Sequence, residues 1–213
     1  MSDKIKIDYV SDIVCPWCII GFLRLEKAIK EMGLEDKVEI EWQPFQLNPN
    51  MPKEGQKLNE HLSEKYGSSD EDILLNQERL TEMGADEGFD FHFFKEMKIF
   101  NTKEAHVLLD FAKQKGKQSE LNKRLVTAYF SENKNISETS ILLNELEAIG
   151  LNSKEAEKIL QDEVSELAIT EKENYWKSLG VRSVPTIVFN RKTALSGAQP
   201  KSTFKEVLTQ LSN

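Results

Sequence analysis

The sequence predicts an α/β fold in which a βαβ unit and a ββα unit belong to one sheet domain, interrupted by a large all-helical insertion. Two observations lead to this prediction. Strand-like alternation occurs near both ends of the 213-residue chain, and the stretch between them shows helical periodicity with no convincing strand. The few strands at each end of the chain must pair with those at the other end to form one packed sheet. We therefore expect residues 1–56 and 179–213 to form the sheet domain and residues 57–178 to form the helical insertion.

The predicted βαβ unit opens the chain. Residues 4–10 alternate between apolar and other side chains in the manner of a strand. Residues 16–32 carry apolar side chains at helical spacing, and Gly33 is a natural stop for that helix. A second alternating segment, residues 38–43, gives the next strand. A strand, helix and strand in this order predict a right-handed crossover between parallel strands.

The middle of the chain predicts a series of helices. Residues 44–56 contain three prolines and a glycine, which indicates a loop that leaves the sheet. Asn101 stands three residues before Glu104, a spacing typical of a capping box. Apolar residues recur at helical spacing on both sides of this position. The predicted helical stretches lie around Leu58–Leu62, Ile73–Met83, Ala105–Ala112, Leu121–Ala128, Leu142–Ile149, Ala156–Leu160 and Val164–Leu179.

Sheet character returns in the last part of the chain. Residues 186–189 form a short apolar run that fits a central strand. A turn at residues 190–192 and a hairpin partner at residues 193–196 follow. Residues 204–211 carry apolar side chains at helical spacing, so the chain is predicted to end in a ββα unit.

The composition argues against two classes of partner. The formal net charge is −8 and no concentrated basic patch is present, so a nucleic-acid surface is not expected. No apolar stretch approaches the length of a membrane span. Residues 1–6 lack the apolar core of a signal peptide, so we expect a cytoplasmic protein that does not contact a membrane. The sequence does not assign an oligomeric state.

The two cysteines carry the predicted chemistry. Cys15 and Cys18 are the only cysteines in the chain, and they enclose Pro16 and Trp17 between the first strand and the first helix. Cys15 lies where an N-cap is expected, and Pro16 lies at the first helical position, which proline favours. Free backbone N–H groups and the helix dipole favour an anion there, so we expect a stabilised Cys15 thiolate. Cys18 lies on the same side of the first turn, where it can attack a mixed disulfide at Cys15.

A zinc site is the alternative interpretation of a Cys-x-x-Cys pair. Zinc takes four nitrogen or sulfur ligands, but the chain has no second such pair, and His61, His92 and His106 are scattered. We therefore expect redox chemistry and no metal site. Trp17 adds no charge between the cysteines and is either a packing residue or an exposed ring beside the site. It leaves the reduction potential open over the range of about −270 to −120 mV known for dithiol enzymes.

The combination of motifs resembles a known family. A βαβ unit whose helix opens with Cys-x-x-Cys, followed by Val184-Pro185-Thr186 before a ββα unit, resembles the thioredoxin fold. The long helical insertion resembles the DsbA-like branch of that fold. Three further stretches resemble the FrnE-like cytoplasmic members, namely Pro44-Phe45-Gln46-Leu47-Asn48-Pro49, Asn101-Thr102 with Ala105-His106, and Ser196-Gly197-Ala198-Gln199-Pro200.

The resemblance implies a set of substrate-binding residues. In this family the peptide bond before the proline that matches Pro185 is cis, and that proline faces the disulfide and helps to bind substrate backbone. Val184 would then present its backbone to a bound peptide or thiol. Pro16 and Trp17 complete the expected binding set around the cysteines.

Asn101 and His106 match a subfamily motif that is expected to line the cleft between insertion and sheet. Plainer interpretations stay open. Asn101 and Thr102 are also explained as helix-capping residues, and a histidine on the apolar face of a helix is often a core or rim residue. The phenylalanines within residues 89–94 indicate core packing, with a surface for an apolar substrate as the alternative.

We expect a thiol–disulfide oxidoreductase or isomerase in which Cys15 is the nucleophile and Cys18 is the resolving thiol. The expected partners are proteins with thiols or disulfides, or low-molecular-weight thiols. No bound cofactor is expected beyond the redox-active disulfide, and glutathione is a candidate co-substrate. Whether the protein oxidises, reduces or isomerises depends on its reduction potential against the cellular poise, which the sequence does not give.

Two other classes of function stay open. The family includes kappa-class glutathione transferases and 2-hydroxychromene-2-carboxylate isomerases, which imply a cleft that holds glutathione as a thiolate. A serine typically replaces the first cysteine in those relatives, so the presence of both Cys15 and Cys18 favours dithiol chemistry. A non-catalytic chaperone or zinc-binding module is the third hypothesis.

Overall fold

The computed structural model describes residues 4–212 and divides into two compact units. The sheet unit runs up to Phe45 and resumes at Thr170, and the helical unit comprises residues 46–169. In chain order the elements are β1 (Ile5–Ser11), α1 (Pro16–Glu31), a 3₁₀ turn (Glu35–Lys37), β2 (Val38–Pro44), β3 (Gln56–Lys57), α2 (Leu58–Tyr66), α3 (Asp70–Glu87), β4 (Lys98–Ile99), α4 (Lys103–Gln114), α5 (Gln118–Phe130), α6 (Thr139–Ala148), α7 (Ser153–Leu160), α8 (Glu163–Ser178), β5 (Thr186–Phe189), β6 (Thr193–Ser196) and α9 (Lys201–Ser212).

The sheet unit confirms the predicted fold class. Its strands are ordered β2-β1-β5-β6, with β1 parallel to β2 and antiparallel to β5. β5 and β6 form the predicted antiparallel hairpin. β1 is therefore hydrogen-bonded on one side to a strand that precedes the helical unit and on the other to a strand that follows it. The two halves complete one sheet across the insertion.

Tyr9 lies at the centre of the core of the sheet unit. Its side chain is fully buried on β1. The ring centroid lies 5.7 Å from that of Phe22 on α1 and 4.9 Å from that of Trp42 on β2. α9 packs against α1, and Glu31 at the end of α1 forms an ion pair of 2.5 Å with Lys205 of α9. One aromatic cluster thus joins the central strand, its parallel neighbour and the first helix.

The helical unit contains the predicted helices and one feature that the sequence did not predict. α4 buries Ala105, Leu108 and Leu109, as their periodicity indicates, and it packs against α5 and α7. The two-residue strands β3 and β4 pair in an antiparallel ladder. The expectation of no strand in this part of the chain is wrong there, because two residues are too few to show alternation. Within residues 4–212, no helix has both the length and the apolar character needed to cross a membrane.

The phenylalanines of residues 89–94 pack largely within the helical unit. Phe91 is buried, and its ring centroid lies 4.7 Å from that of Phe89 and 5.1 Å from that of Phe130. Phe94 is 40% exposed. Core packing therefore accounts for most of this run.

The boundaries between the units lie at Phe45 and Thr170 instead of the expected positions 56 and 179. The loop after β2 belongs to the helical unit, where the Ser137 hydroxyl donates to the Lys53 carbonyl at 2.7 Å. The second half of α8 belongs to the sheet unit, where the Lys177 ammonium lies 5.4 Å from the centre of the Phe45 ring. Proline content marks a loop in the sequence, but it does not show which unit the loop packs against.

Gly21, in the interior of α1, provides a test of this packing. A Cβ atom at this position would lie 2.8 Å from the Tyr9 hydroxyl oxygen and 3.2 Å from Ala198 Cα. We expect Gly21→Ala to lower the free energy of unfolding by about 1–3 kcal/mol through overpacking. This sign is opposite to the gain of about 0.5–1 kcal/mol that alanine usually brings to a helix interior. Urea denaturation measures the change.

The control for this prediction is a cycle with Tyr9→Phe, which removes the hydroxyl oxygen that lies closest to the added methyl group. We expect Gly21→Ala to cost less free energy in the Tyr9→Phe background than in the wild type. A Gly21→Ala protein that is as stable as the wild type would contradict the packing described here.

Candidate active site

The start of α1 holds both cysteines as the sequence predicts. Cys15 is the N-cap residue with an extended backbone (φ −97°, ψ 107°), and Pro16 begins the helix. The Cys15 N–H donates to the Asp12 carbonyl at 3.1 Å, so a tight turn carries the chain from β1 into α1. The Cys18 N–H donates to the Cys15 carbonyl at 3.1 Å. Both side chains therefore belong to the first turn of one helix.

The cysteines are free thiols, and each residue is only 3% exposed. The Cys15 sulfur contacts the Val184 carbonyl oxygen at 3.9 Å. The Val184–Pro185 peptide bond is cis. The fold thus brings these residues together from the two ends of the sheet unit. Pro16 and Trp17 are half-buried between the cysteines.

The two thiols differ in their electrostatic surroundings. Burial raises the pKa of the Cys18 thiol well above its ordinary value, and the hydrogen bond and negative charge of Cys15 raise this pKa further. The Asp12 carboxylate raises it as well, while a hydrogen bond from the Asp12 backbone lowers it. Each of these charges disfavours a second anion at Cys18. These effects hold the proton on the Cys18 thiol at neutral pH.

Two residues beside the thiols were not identified from the sequence. The buried Tyr9 hydroxyl donates to the Cys18 carbonyl oxygen at 2.8 Å. Burial raises the pKa of Tyr9, and the neighbouring Cys18 and Cys15 raise it further, so this hydroxyl remains a donor. Asp12 is 2% exposed at the turn before Cys15. An acidic residue three positions before the Cys-x-x-Cys pair was the available signal for Asp12, whereas strand periodicity placed Tyr9 in the core without showing where its hydroxyl points.

Asn101 and His106 belong to the helical unit. The Asn101 side chain accepts a hydrogen bond from the Lys103 N–H at 2.9 Å and donates to the Met51 carbonyl at 2.9 Å. The predicted capping box does not form, because Thr102 is the N-cap of α4 and Glu104 instead pairs with Lys53 and Thr139.

His106 is 3% exposed on the buried face of α4. A role of Asn101 or His106 in substrate binding stays a prediction.

The described residues fit chemistry carried by the two thiols. No group of three or more His, Cys, Asp or Glu side chains within residues 4–212 is arranged to hold a metal ion. Two thiols in one helical turn can form a disulfide and so exchange two electrons with a partner. The Val184 carbonyl beside Cys15 has a further lone pair that can accept another hydrogen bond.

Known proteins are similar to this chain over nearly its whole length. An uncharacterized protein of Bacillus subtilis, YwbO, is 27% identical over 209 residues, which cover 96% of each chain. SCO1869 of Streptomyces coelicolor, described as a probable DsbA oxidoreductase, has a crystal structure that superposes with a TM-score of 0.91 at 29% identity and covers 97% of this chain and 89% of that one. The cytosolic disulfide reductase DsbM of Pseudomonas aeruginosa, solved with GSH, gives a TM-score of 0.67 at 17% identity over 98% of this chain and all of its own.

A family model also matches nearly the whole chain. The model of the DSBA-like thioredoxin domain matches residues 6–209 and so spans both the sheet unit and the helical unit. The family implied by the Cys-x-x-Cys and Val-Pro-Thr motifs is thereby confirmed. This chain belongs to the DSBA-like thioredoxin domain family.

Proposed function

We propose that this protein is a thiol–disulfide oxidoreductase that exchanges disulfides through Cys15 and Cys18. The observation that carries the proposal is the pairing of two unlike thiols at the start of α1. Cys15 occupies the N-cap position, with its sulfur 3.9 Å from the Val184 carbonyl oxygen, while Cys18 has a raised pKa and retains the proton. The chain's family consists of thioredoxin-fold proteins of the DsbA type, which supports the same class of reaction.

In the first step, the Cys15 thiolate attacks one sulfur of a substrate disulfide. A Cys15–substrate mixed disulfide forms, the substrate S–S bond breaks, and the other substrate sulfur leaves as a thiolate. The Val184 carbonyl accepts a hydrogen bond from the substrate backbone, and Pro16, Trp17 and Pro185 flank it. We also propose Asn101 and His106 as substrate-binding residues.

In the second step, Cys18 resolves the mixed disulfide. Cys15 carries no charge once it is bonded to the substrate, so its contribution to the raised pKa of Cys18 is lost. Cys18 then ionises more readily at the stage where its thiolate is required. The thiolate attacks Cys15, an intramolecular disulfide forms, and the second substrate thiolate leaves. The substrate disulfide is reduced to two thiols, the protein dithiol is oxidised, and the reverse sequence oxidises a substrate dithiol.

The proposal requires no bound cofactor, because the disulfide itself carries the two electrons. Proteins with thiols or disulfides are the proposed partners, and glutathione is the low-molecular-weight thiol proposed to exchange with the pair. We also propose a FrnE-like role in the cytoplasm, and cell fractionation tests that location.

The reduction potential of the Cys15–Cys18 pair is the direct test of this function. We expect a reversible two-electron transition with a midpoint between about −270 and −120 mV, because the two thiols share one helical turn. Equilibration in glutathione buffers, followed by alkylation and mass measurement, counts the free thiols. A stable glutathione adduct at Cys15 without such a transition would instead support the glutathione-dependent transferase or isomerase, which does not require Cys18.

Serine substitutions separate the proposed roles of the cysteines. We expect Cys15→Ser to abolish disulfide exchange, because the remaining thiol, Cys18, is buried and has a raised pKa. Cys18→Ser should still attack but accumulate mixed disulfides, which intact-mass measurements detect as adducts on Cys15. The Cys15→Ser/Cys18→Ser double variant is the control for non-specific adducts. Failure of Cys18→Ser to form any adduct would count against the mechanism.

The raised pKa of Cys18 predicts the pH dependence of the resolving step. Because burial keeps this thiol protonated at neutral pH, the rate of resolution should rise about tenfold per pH unit until the pH reaches the pKa of Cys18. A disulfide with a coloured leaving thiol, such as 5,5′-dithiobis(2-nitrobenzoate), releases one equivalent on attack and a second on resolution. The second phase should be absent in Cys18→Ser. If the rate of the second phase does not change between about pH 7 and 9, a raised pKa of Cys18 is excluded.

A further inference from the structure

The segment Ser196–Pro200 has no role in the proposed mechanism, but it contacts the Val184–Pro185 pair that faces Cys15. The Gly197 N–H donates to the Pro185 carbonyl at 2.8 Å. Gly197 has a φ of +82°, a conformation that glycine adopts without steric cost. The turn after β6 is therefore shaped to direct one N–H at the Val184–Pro185 pair.

Arg24 of α1 holds the same turn from the helix side. Its Nη1 donates to the Ala198 carbonyl at 3.2 Å. A guanidinium donor makes this a charge-assisted hydrogen bond, which is stronger than a neutral one. Gly21 lies one turn earlier on α1, and a Cβ atom there would lie 3.2 Å from Ala198 Cα and 3.4 Å from Pro185 Cγ. The absence of a side chain at Gly21 lets the helix approach both segments closely.

These contacts lead back to the thiol. Cys15 is the N-cap of α1, and Arg24 on the same helix donates a hydrogen bond to the Ala198 carbonyl. Gly197 next to Ala198 bonds the Pro185 carbonyl, and the adjoining Val184 carbonyl lies 3.9 Å from the Cys15 sulfur. One helix thus carries the nucleophile and also holds the backbone that the nucleophile faces.

We infer that Arg24 is a positioning residue for disulfide exchange. It fixes the turn at residues 197–198, and through the Pro185 carbonyl it fixes the Val184 carbonyl beside Cys15. This inference rests on the proposed function. A displacement of about 1 Å between reacting groups can slow a reaction by up to about 100-fold, so a loosened acceptor at Val184 would misalign the incoming disulfide.

The experiment compares three variants of the full chain. Arg24→Met removes the donor and keeps an apolar stem, whereas Arg24→Lys keeps a charged donor on a long stem. Lys205→Met is the matched control, because it removes one of the two ion pairs that α9 makes with Glu31 of α1, while Lys201 keeps the other and the turn is not touched. The rate of exchange with a peptide disulfide and the hydrogen exchange of the Gly197 amide are measured for each protein.

We expect Arg24→Met to slow disulfide exchange by about tenfold or more and to speed hydrogen exchange at the Gly197 amide. Arg24→Lys should keep most of the wild-type exchange rate and most of the protection of the Gly197 amide. Lys205→Met should change both quantities by less than about twofold, because an exposed ion pair contributes little.

Three results would overturn the inference. These are an unchanged Gly197 amide in Arg24→Met, equal losses in Arg24→Met and Arg24→Lys, or an equal loss in Lys205→Met. A wild-type protein without any disulfide exchange would instead overturn the proposed function. The Gly197 amide would then still decide whether Arg24 holds the turn.

Discussion

The antiparallel pairing of β1 with β5 is the constraint on which the site depends. Its register sets Val10 opposite Thr186, so the residues just before β5 lie where the chain leaves β1 and turns into α1. The contact between the Cys15 sulfur and the Val184 carbonyl follows from this register, although the two residues are 169 positions apart in the sequence. A shift of the register would move the carbonyl away from the thiol and turn core side chains to the other face.

The first turn of α1 gives two identical side chains different chemistry. Cys15 has extended backbone at the cap and faces a carbonyl from the far end of the chain. Cys18 lies inside the helix, where the Tyr9 hydroxyl donates to its carbonyl and the Asp12 backbone forms a hydrogen bond with its side chain. The proposed division into a nucleophile and a resolving thiol therefore rests on position at a helix start, supported by residues of the strand and turn that precede it.

Much of this arrangement could be predicted from the sequence, because it rests on local patterns. The alternation around β1 and β5, the proline at the start of α1 and the spacing of the cysteines are each visible within a few residues. The β3–β4 ladder was not predicted, because two-residue strands have no period. The bond from Tyr9 to Cys18 and the bond from Arg24 to Ala198 were not predicted either, since both depend on how separate elements pack.

The predicted capping box at Asn101 is a local pattern that does not form in the structure. The spacing to Glu104 is correct for such a box, yet Glu104 forms an ion pair with Lys53 and Asn101 also reaches the Met51 carbonyl. Tertiary partners outcompeted the local one. The unit boundaries show the same limit. They lie inside the loop after β2 and inside α8, each of which the sequence assigned entirely to one unit.

The placement of the insertion between β2 and β5 has a consequence for biosynthesis. A ribosome that adds about 5–20 residues per second needs on the order of 10–30 s to travel from Cys15 to Val184. During that interval the helices of the insertion can fold from local contacts, but β1 has only β2 beside it and one edge unpaired. The two thiols are therefore synthesised well before the Val184 carbonyl that contacts Cys15. A truncated chain that ends before Val184 would carry both cysteines but lack the carbonyl that contacts Cys15.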